Sequence, residues 1–435
     1  MSSHSPAAYM EGGESSAFAK ATMRLVPFLF LCYLAAYLDR INVAFAKLQM
    51  LNDLGLNEAI YGFGASVFFI GYLLFEVPSN LMLLRVGPRR WIARIMVTWG
   101  IISACMMFVR TPAEFYVMRF LLGVAEAGFF PAIVLYLTYW FPSSRRSKVT
   151  ALFMTGIPMS GVLGGPLSGW LMTQLGGVHG MAGWQWLFLL EGIPTVVFGV
   201  IAFFYLDDKV QDATWLSESQ KAAIEQKLRD EAPKAALHSA LDGLLNPKIL
   251  LVSGIYFFYT MGLYGVSFWL PTLIKSSGVS DPLNVGLLTA IPYAAGAIAM
   301  IAVSQSSDRT GERRWHLIAP GLVGALGLAM SVSFAHSTTL AMVGLTIGTM
   351  GVMTTISQFW VLPPAFLGGA AAAAGLALAN SVGSISGVVS PSLIGVIKNA
   401  TGSAGAGVLV LSASLLVGGA LVFFVPPTLV NSKPK

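Results

Sequence analysis

The feature that most constrains the fold of this 435-residue chain is a series of twelve long apolar segments. About 20 helical residues, rising 1.5 Å each, cross the roughly 30 Å of hydrocarbon in a bilayer. Charged residues make up 11% of the chain, whereas soluble domains hold about 25%. We therefore predict an all-α membrane protein with twelve transmembrane helices. The predicted spans are 24–46, 59–84, 91–110, 112–141, 148–174, 184–206, 248–274, 283–306, 316–335, 338–361, 365–398 and 404–425.

The longest polar stretch, residues 207–247, divides the spans into two groups of six. It contains LSESQKAAIEQKLRDEA, a mixed-charge pattern that predicts a short surface helix. We expect one six-helix bundle over 21–206 and a second over 248–425, with tails at 1–20 and 426–435. The first tail is polar and lacks the layout of a cleaved signal peptide, so we expect it to be disordered. The eleventh span is long and rich in glycine, which predicts a break or a loop within it.

The basic residues set the orientation of the spans. With both termini in the cytoplasm, 20 of the 26 lysines and arginines fall on the inner side. Four fall on the outer side, and Arg40 and Arg119 lie within the membrane. This is the positive-inside asymmetry of membrane proteins. The net charge of +6 therefore reflects topology and does not indicate a nucleic-acid partner.

Two loops repeat each other at equivalent places in the two halves. GPRRW at 87–91 follows span 2, and GERRW at 311–315 follows span 8, 224 residues later (311 minus 87). Four of the five residues are identical, which predicts an internal duplication into parallel repeats of six spans. The residues of this paired loop motif are Gly87, Arg89, Arg90, Asp308, Arg309, Gly311, Arg313 and Arg314.

The sequence resembles the major facilitator superfamily over nearly its whole length, and the paired loops resemble that superfamily's cytoplasmic gating motif. The first copy lacks the motif's usual acid, whereas the second keeps Asp308. The stretches YLDRINVAFA, FEVPSNLMLLRVGPRRWIARIMVTWG, RFLLGVAEAGFFPAIVLYLTYWFPSSRR and FWLPTLI resemble the anion:cation symporter branch. That branch includes bacterial permeases for sugar acids, tartrate and phthalate, and vesicular organic anion carriers. The resemblance implies proton-coupled uptake of a small organic anion by alternating access, in a bacterial inner membrane.

Charged side chains inside the bilayer cost about 2.5–3.5 kcal/mol each on insertion scales, so they mark candidate functional sites. Arg119 and Glu126 are seven residues apart, which places them about 20° apart in azimuth and roughly 10 Å apart along one helix. That spacing suits two groups that line one cavity. Asp39 and Arg40 are adjacent, so one can face a cavity while the other faces a neighbouring helix. The six intramembrane charges are Asp39, Arg40, Glu76, Arg119, Glu126 and Glu191.

We hypothesise that Arg40 and Arg119 bind a substrate carboxylate, because the guanidinium fork matches carboxylate geometry. Asp39 and Glu126 would carry protons, since burial favours a neutral carboxyl group and a nearby arginine favours the charged one. The resemblance implies the same roles at these four positions. The alternative is that the four charges only pair with one another and lock the first and fourth spans together.

Aromatic and polar residues extend the predicted site. Tyr33 and Tyr37 are four residues apart and share a helix face that leads to Arg40, a pattern equally typical of packing aromatics. Glu76 and Glu191 are expected to hold a helix junction or a gate rather than to contact substrate. Further candidates, of which those in the second half have family counterparts near the ligand, are Tyr72, Tyr264, Gln358, Trp360, Asn380, Ser381 and Ser384.

Other functions stay open beside symport. The two intramembrane arginines argue against a cationic drug, but an anion exchanger, a drug-efflux antiporter and a transporter-like membrane sensor are alternatives. The five histidines are scattered, and neither a nucleophile–base set nor metal-ligand spacing is found. We therefore expect no enzyme activity, no metal and no cofactor. The expected partners are the lipid bilayer, a proton and an anion such as tartrate, phthalate, another aromatic acid or a sugar acid, bound by a monomer.

Overall fold

The computed structural model describes residues 6–230, 246–363 and 369–431, and these residues form helices joined by loops without any strand. Eleven helices in these ranges are long and apolar enough to cross a membrane. The first bundle consists of α1 (Pro6–Leu54), α2 (Glu58–Val86), α3 (Pro88–Cys105), α4 (Pro112–Glu126), α5 (Phe129–Thr138), α6 (Ser143–Met154), α7 (Gly156–Gln174) and α8 (Gly183–Tyr205). The predicted surface helix is α9 (Glu218–Asp230). The second bundle consists of α10 (Pro247–Ser276), α11 (Pro282–Thr310), α12 (Trp315–Ser333), α13 (Thr338–Phe359), α14 (Gly369–Thr401) and α15 (Gly405–Val422), and a short helix α16 (Pro427–Val430) follows it.

The N-terminal segment differs from the disordered tail that we expected at residues 1–20. From Pro6 onward it is the first part of α1. Ala17 and Phe18 are fully buried, and the Arg145 guanidinium lies 4.8 Å from the centre of the Phe18 ring. These apolar residues pack against the inner side of the first bundle. The polar composition of residues 1–20 did not predict this packing.

Two predicted spans are broken into paired helices. The fourth is divided between α4 and α5, and the fifth between α6 and α7 at Thr155. In each case a proline follows the break, and Pro131 and Pro158 lack the N–H that would extend the helix ladder to the carbonyl four residues earlier. Neither the fourth nor the fifth predicted span therefore forms a single continuous helix.

The eleventh span differs in the opposite sense, because the break predicted in it is absent from the part described. Helix α14 runs without interruption from Gly369 to Thr401, while residues 364–368 lie outside the described ranges. Its first residues read GAAAAAG, and alanine is the strongest helix former. The alanines therefore offset the glycines that led us to expect a break.

Glycines let helices approach closely at two kinds of contact. Within the first bundle, a Cβ added to Gly123 of α4 would lie 1.9 Å from the Phe68 carbonyl oxygen of α2. Between the bundles, a Cβ on Gly165 of α7 would lie 2.6 Å from the Gly286 carbonyl oxygen of α11. Backbone contact of this kind needs small residues in membrane helices.

The two bundles are joined at the ends of the helices that face the outside. The Lys47 ammonium of α1 donates to Thr272 Oγ1 of α10 at 3.0 Å. The Tyr61 hydroxyl of α2 donates to the Phe268 carbonyl oxygen of α10 at 2.8 Å. These contacts close the outer side and leave a cavity between the bundles nearer the membrane centre.

Candidate functional site

The cavity between the bundles holds about 660 Å³, counting its open mouth, and extends from the membrane centre toward the inner helix ends. Both bundles contribute to its wall, as expected for a site between two repeats. The predicted site residues that line it are Tyr33, Tyr37, Arg40, Tyr72, Glu126, Tyr264, Trp360, Asn380 and Ser384. The structure therefore brings nine of the candidates together around one space.

An ion pair of Arg40 and Glu126 forms the charged part of this wall. The two residues lie on different helices, and their side chains are 13% and 2% exposed. The Arg40 guanidinium also lies 4.8 Å from the centre of the Tyr37 ring and 5.4 Å from that of Phe68. Aromatic faces attract a cation of this kind. Arg40 is thus held by one carboxylate and by ring faces, with part of its surface open to the cavity.

The break in the fourth span places Glu126 at the cavity. Helix α4 ends at Glu126, and Gly128 then takes a left-handed conformation with φ of 85° before α5 begins. Glycine adopts that conformation without steric cost. Glu126 is therefore the last residue of a helix, and Phe129 and Phe130 of α5 follow it in the cavity wall.

Asp39 lies outside the cavity, on the other side of α1 from Arg40. Its Oδ1 accepts a hydrogen bond from Ser103 at 2.8 Å and a longer one from Asn42 at 3.4 Å. Its Oδ2 accepts a hydrogen bond from Thr195 at 2.7 Å. Asp39 is 1% exposed, so it is enclosed by α1, α3 and α8 within the first bundle. The angle of about 100° between adjacent helical residues separates it from Arg40.

Arg119 also lies outside the cavity, contrary to the placement that we predicted. Its Nε donates to the Gly64 carbonyl oxygen at 3.3 Å and its Nη2 to that of Ala65 at 3.5 Å. The side chain is fully buried, and Nη1 has no hydrogen-bond partner in the described structure. Arg119 does share a helix with Glu126, but it lies two turns nearer the outside, where the bundles are closed. The seven-residue spacing from Glu126 indicates the helix face on which Arg119 lies, but it does not indicate the depth at which the cavity ends.

The remaining candidates divide between the cavity wall and helix contacts. Gln358 and Ser381 do not line the cavity, and the Gln358 amide donates to Ser304 at 2.7 Å. The Asn380 amide donates across the bundles to Glu76 at 2.8 Å. Glu191 accepts a hydrogen bond from Ser168 at 2.8 Å within the first bundle. Glu76 therefore joins the two halves, and Glu191 joins α7 to α8.

Each of the paired loops at the inner side contains a glycine with positive φ. Gly87 and Gly311 both have positive φ, at 93° and 69°. Arg313 pairs with Asp308 at 2.7 Å within its own loop. In the first loop the Arg89 backbone N–H donates to Asp208 Oδ1 at 2.9 Å. The acid that the first copy lacks in sequence is thus replaced by Asp208, which comes from the segment after α8.

The second loop also caps a helix. Glu312 accepts hydrogen bonds from the Trp315 and His316 backbone N–H groups at the start of α12. Burial opposes ionisation of this carboxyl group, but the hydrogen bonds from Trp315 and His316 outweigh that effect and lower the pKa of Glu312. A carboxylate at a helix N-terminus is also favoured by the helix dipole.

Residues 29–391 match the Major Facilitator Superfamily. The chain belongs to this family.

Three relatives show what this superfamily member resembles. It is 49% identical over 424 residues to a Pseudomonas putida protein named "Putative metabolite transport protein NicT", covering 97% of each chain. It is 47% identical over 414 residues to an Agrobacterium vitis protein named "Putative tartrate transporter", covering 95% of each chain. It is 40% identical over 423 residues to the "Quinolone resistance transporter" of Acinetobacter baumannii, covering 97% of each chain.

The family and the helices together establish the general function. This superfamily member is a multi-pass membrane protein that transports small organic molecules, and it is not an enzyme. Its bacterial relatives indicate the inner membrane. The resemblance read from the sequence is confirmed, as is the all-helical fold of the family.

Sequence reasoning missed several residues of this superfamily member's cavity, and most of them are apolar. Phe129 and Phe130 follow Gly128, and a glycine at this place could have indicated the helix break that brings them to the cavity wall. Tyr256 carried no such signal, because an aromatic residue in a span can face lipid, a helix or a cavity. The missed residues are Phe69, Phe129, Phe130, Met154, Ile157, Tyr256, Leu263 and Ile356.

Proposed function

We propose that this transporter imports a small organic anion, a carboxylate, together with a proton. The observation that carries the proposal is the ion pair of Arg40 and Glu126 in the wall of the central cavity. A guanidinium that holds a carboxylate of the protein can hold the carboxylate of a substrate in the same place. The name of the tartrate relative supports a carboxylate as the class of substrate.

The same pair supplies a way to couple the anion to a proton. When a substrate carboxylate takes the place of Glu126 beside Arg40, the Glu126 side chain loses its cation at a buried position. An unpaired buried charge is costly, and a proton on Glu126 removes that cost. The anion and the proton then favour each other's binding, and thermodynamic linkage makes the effect reciprocal.

Asp39 and Arg119 have secondary places in the proposal. Asp39 is proposed as a second proton carrier, placed in the interior of the first bundle and not at the cavity. Arg119 is proposed to meet the anion only when the outer ends of the bundles are apart, since in this state the Phe268 ring of the second bundle has its centre 6.0 Å from the Arg119 guanidinium. The alternating states of the transporter would then expose the two arginines in turn.

Export by proton antiport is a second candidate, because the quinolone resistance relative is named for resistance to a drug. Symport and antiport predict opposite responses to a pH gradient. A symporter concentrates its substrate in the compartment that protons enter, whereas an antiporter concentrates it in the compartment that protons leave. The sign of the response therefore decides between the two candidates.

The experiment that tests the proposal is transport of a radiolabelled carboxylate into proteoliposomes. With an alkaline interior, we expect the unaltered protein to accumulate label above the outside concentration. Glu126→Gln keeps the shape of the side chain and removes its charge, so we expect it to lose pH-driven accumulation yet to keep exchange of labelled for unlabelled anion. Radiolabelled benzoate and tartrate serve as the two probes, and accumulation in protein-free liposomes is subtracted, because neutral benzoic acid crosses the bilayer unaided and ionises in an alkaline interior.

A matched control comes from the same helix. Glu114→Gln changes a glutamate at the outer end of α4 that accepts the Arg110 N–H at 2.7 Å and lies far from the cavity. This variant should accumulate label as the unaltered protein does. If Glu126→Gln still accumulates label against a gradient driven by pH, the proposed role of Glu126 is wrong.

A further inference from the structure

We infer that the cavity selects a flat aromatic ring that carries a single carboxylate, in preference to a dicarboxylate or a polyhydroxylated acid. The inference rests on the proposed function, because it assumes that an anion binds at Arg40. It adds the chemical class of the rest of the ligand. Three features of the cavity wall carry it: the number of cations, the ring faces on both sides and the state of the polar groups.

The first feature is that the wall offers one positive charge. Arg40 is the cation among the described lining residues, and Arg119 is sealed behind α2. A single guanidinium binds one carboxylate in its two-pronged geometry. A second carboxylate on the ligand would enter a space with no further cation to meet it, which is costly at a buried site. One negative charge on the substrate therefore matches the wall.

The second feature is that aromatic rings face the cavity from both bundles. Tyr33 and Tyr37 of α1 have ring centres 5.2 Å apart, and Phe130 lies 6.0 Å from Tyr33. On the opposite side the rings of Tyr256 and Trp360 are 5.1 Å apart. A flat ligand ring between these two walls would contact ring faces and edges from both halves. A ligand ring that packs on these rings with ring centres about 4.5–7 Å apart would be stabilised beyond the burial of area alone.

The third feature is that Asn380 and Ser384, polar side chains in the lining that could bind hydroxyl groups, already donate hydrogen bonds to other groups of the protein. The Asn380 amide donates to Glu76 at 2.8 Å, and the Ser384 hydroxyl donates to the Asn380 carbonyl oxygen at 3.1 Å. The lining also includes apolar side chains such as Met154 and Ile157. A ligand with many hydroxyl groups would lose water there without equivalent partners.

The tyrosine hydroxyls do not change this conclusion. Each of these hydroxyls is attached to a ring that is itself part of the wall. Tyr37 and Tyr264 are examples from opposite bundles. A ligand that reaches such a hydroxyl must therefore also contact an apolar ring face. A ring substituent meets both requirements, whereas a chain of hydroxylated carbons meets only the first.

The test is direct binding to the purified full-length protein in detergent, measured by calorimetry. Benzoate, cyclohexanecarboxylate, tartrate and gluconate are compared at one pH. Benzoate and cyclohexanecarboxylate have the same charge and similar size, but only benzoate is flat and aromatic. We expect benzoate to bind roughly 3- to 10-fold more tightly than cyclohexanecarboxylate, and tartrate and gluconate to bind more weakly than either.

Variants assign the preference to the wall. Trp360→Leu should reduce benzoate affinity several-fold and leave cyclohexanecarboxylate affinity nearly unchanged. The control Trp315→Leu alters a tryptophan that is 54% exposed at the start of α12, and it should change neither affinity. If Trp360→Leu fails to fold, the comparison of benzoate with cyclohexanecarboxylate in the unaltered protein still decides the inference.

The outcomes separate this inference from the proposed function. If tartrate or gluconate binds more tightly than benzoate and Arg40→Lys weakens that binding, the anion site stands and the aromatic preference is wrong. The preference is also wrong if benzoate and cyclohexanecarboxylate bind equally. If none of the four carboxylates binds, both the anion site and the aromatic preference are overturned.

Discussion

Arg40 and Asp39 are neighbours in sequence with different surroundings. Arg40 reaches the cavity and pairs with Glu126, whereas Asp39 is enclosed by hydroxyl and amide donors of its own bundle. The described structure gives Asp39 no cation partner. Adjacent positions on one helix thus present a guanidinium group to the cavity and a carboxyl group to the bundle interior.

Asp39→Asn tests whether the enclosed acid takes part in transport. Asparagine has the same shape. Its carbonyl oxygen can still accept from one of the Ser103 and Thr195 hydroxyls, and its NH2 group can donate to the other, so we expect the fold and anion binding to be kept. Because the variant cannot take up a proton, pH-driven accumulation in proteoliposomes should fall at least about tenfold. Thermal unfolding of the purified variant checks the fold. Full accumulation by Asp39→Asn would show that this residue only packs α1 against α3 and α8.

At the residue scale, the sequence predicted charges better than it predicted their surroundings. Arg40 and Glu126 are conspicuous because a charge in a span needs a reason. Arg119 met the same criterion but lies beyond the closed outer end of the cavity, and closure depends on how the bundles meet. Tyr256 and Phe69 were not predicted, because a ring that faces the cavity looks like any other aromatic residue in a span.

The helices themselves were predicted well in number and poorly in their interruptions. Gly128 and Pro131 follow Glu126 closely and divide the fourth span, although the apolar run continues without a gap. The eleventh span has many glycines and is continuous from Gly369. Local breaks depend on where a missing N–H or a left-handed residue falls, which average hydropathy does not record.

Gly123→Ala tests the close contact between α2 and α4 that supports the site. The added Cβ would lie 1.9 Å from the Phe68 carbonyl oxygen, and backbone cannot move aside as a side chain can. We expect a loss of about 1–3 kcal/mol of stability from overpacking, seen as a lower melting temperature in detergent. In the control Gly254→Ala, the new Cβ would lie 3.5 Å from a Leu421 methyl group, so it should be neutral or slightly stabilising. Equal melting temperatures for the two variants would contradict the account of this contact.

At the scale of the whole molecule, a bridge of three charges holds the outer ends together. Glu58 of α2 pairs with Lys47 of α1 and with Lys398 of α14, each at 2.6 Å. The Lys47 ammonium also lies 3.6 Å from the centre of the Trp269 ring in the second bundle. These contacts join the halves on the side away from the open cavity, and they must break for the outer side to open.

Lys398→Met should therefore shift the transporter toward an outward-open state. A change of about 1.4 kcal/mol alters the ratio of the inward-open to the outward-open state tenfold. We therefore expect the loss of this ion pair to change that ratio measurably. Spin labels at Asn52 and Thr401, both exposed at the outer ends, would report a greater distance in the variant. Lys221→Met, which removes a pair within α9, is the control and should leave the distance unchanged. An unchanged distance in Lys398→Met would show that this bridge does not hold the gate.

The sequence also predicted the duplication and orientation of the molecule from its paired loops and basic residues. In the second loop Arg313 pairs with Asp308, the acid that this copy of the motif keeps. The partner of the first loop could not be predicted, because Asp208 lies far along the chain and only the fold brings it to Gly87 and Arg89.

The central claim is that anion and proton exchange at the pair formed by Arg40 and Glu126. Proton uptake during binding tests it most directly, measured with a pH-sensitive dye when benzoate is added to purified protein in weak buffer. We predict uptake of about one proton per bound anion by the unaltered protein, and none by Glu126→Gln although that variant still binds benzoate. Binding without proton uptake in the unaltered protein, or equal uptake in the variant, would contradict the account.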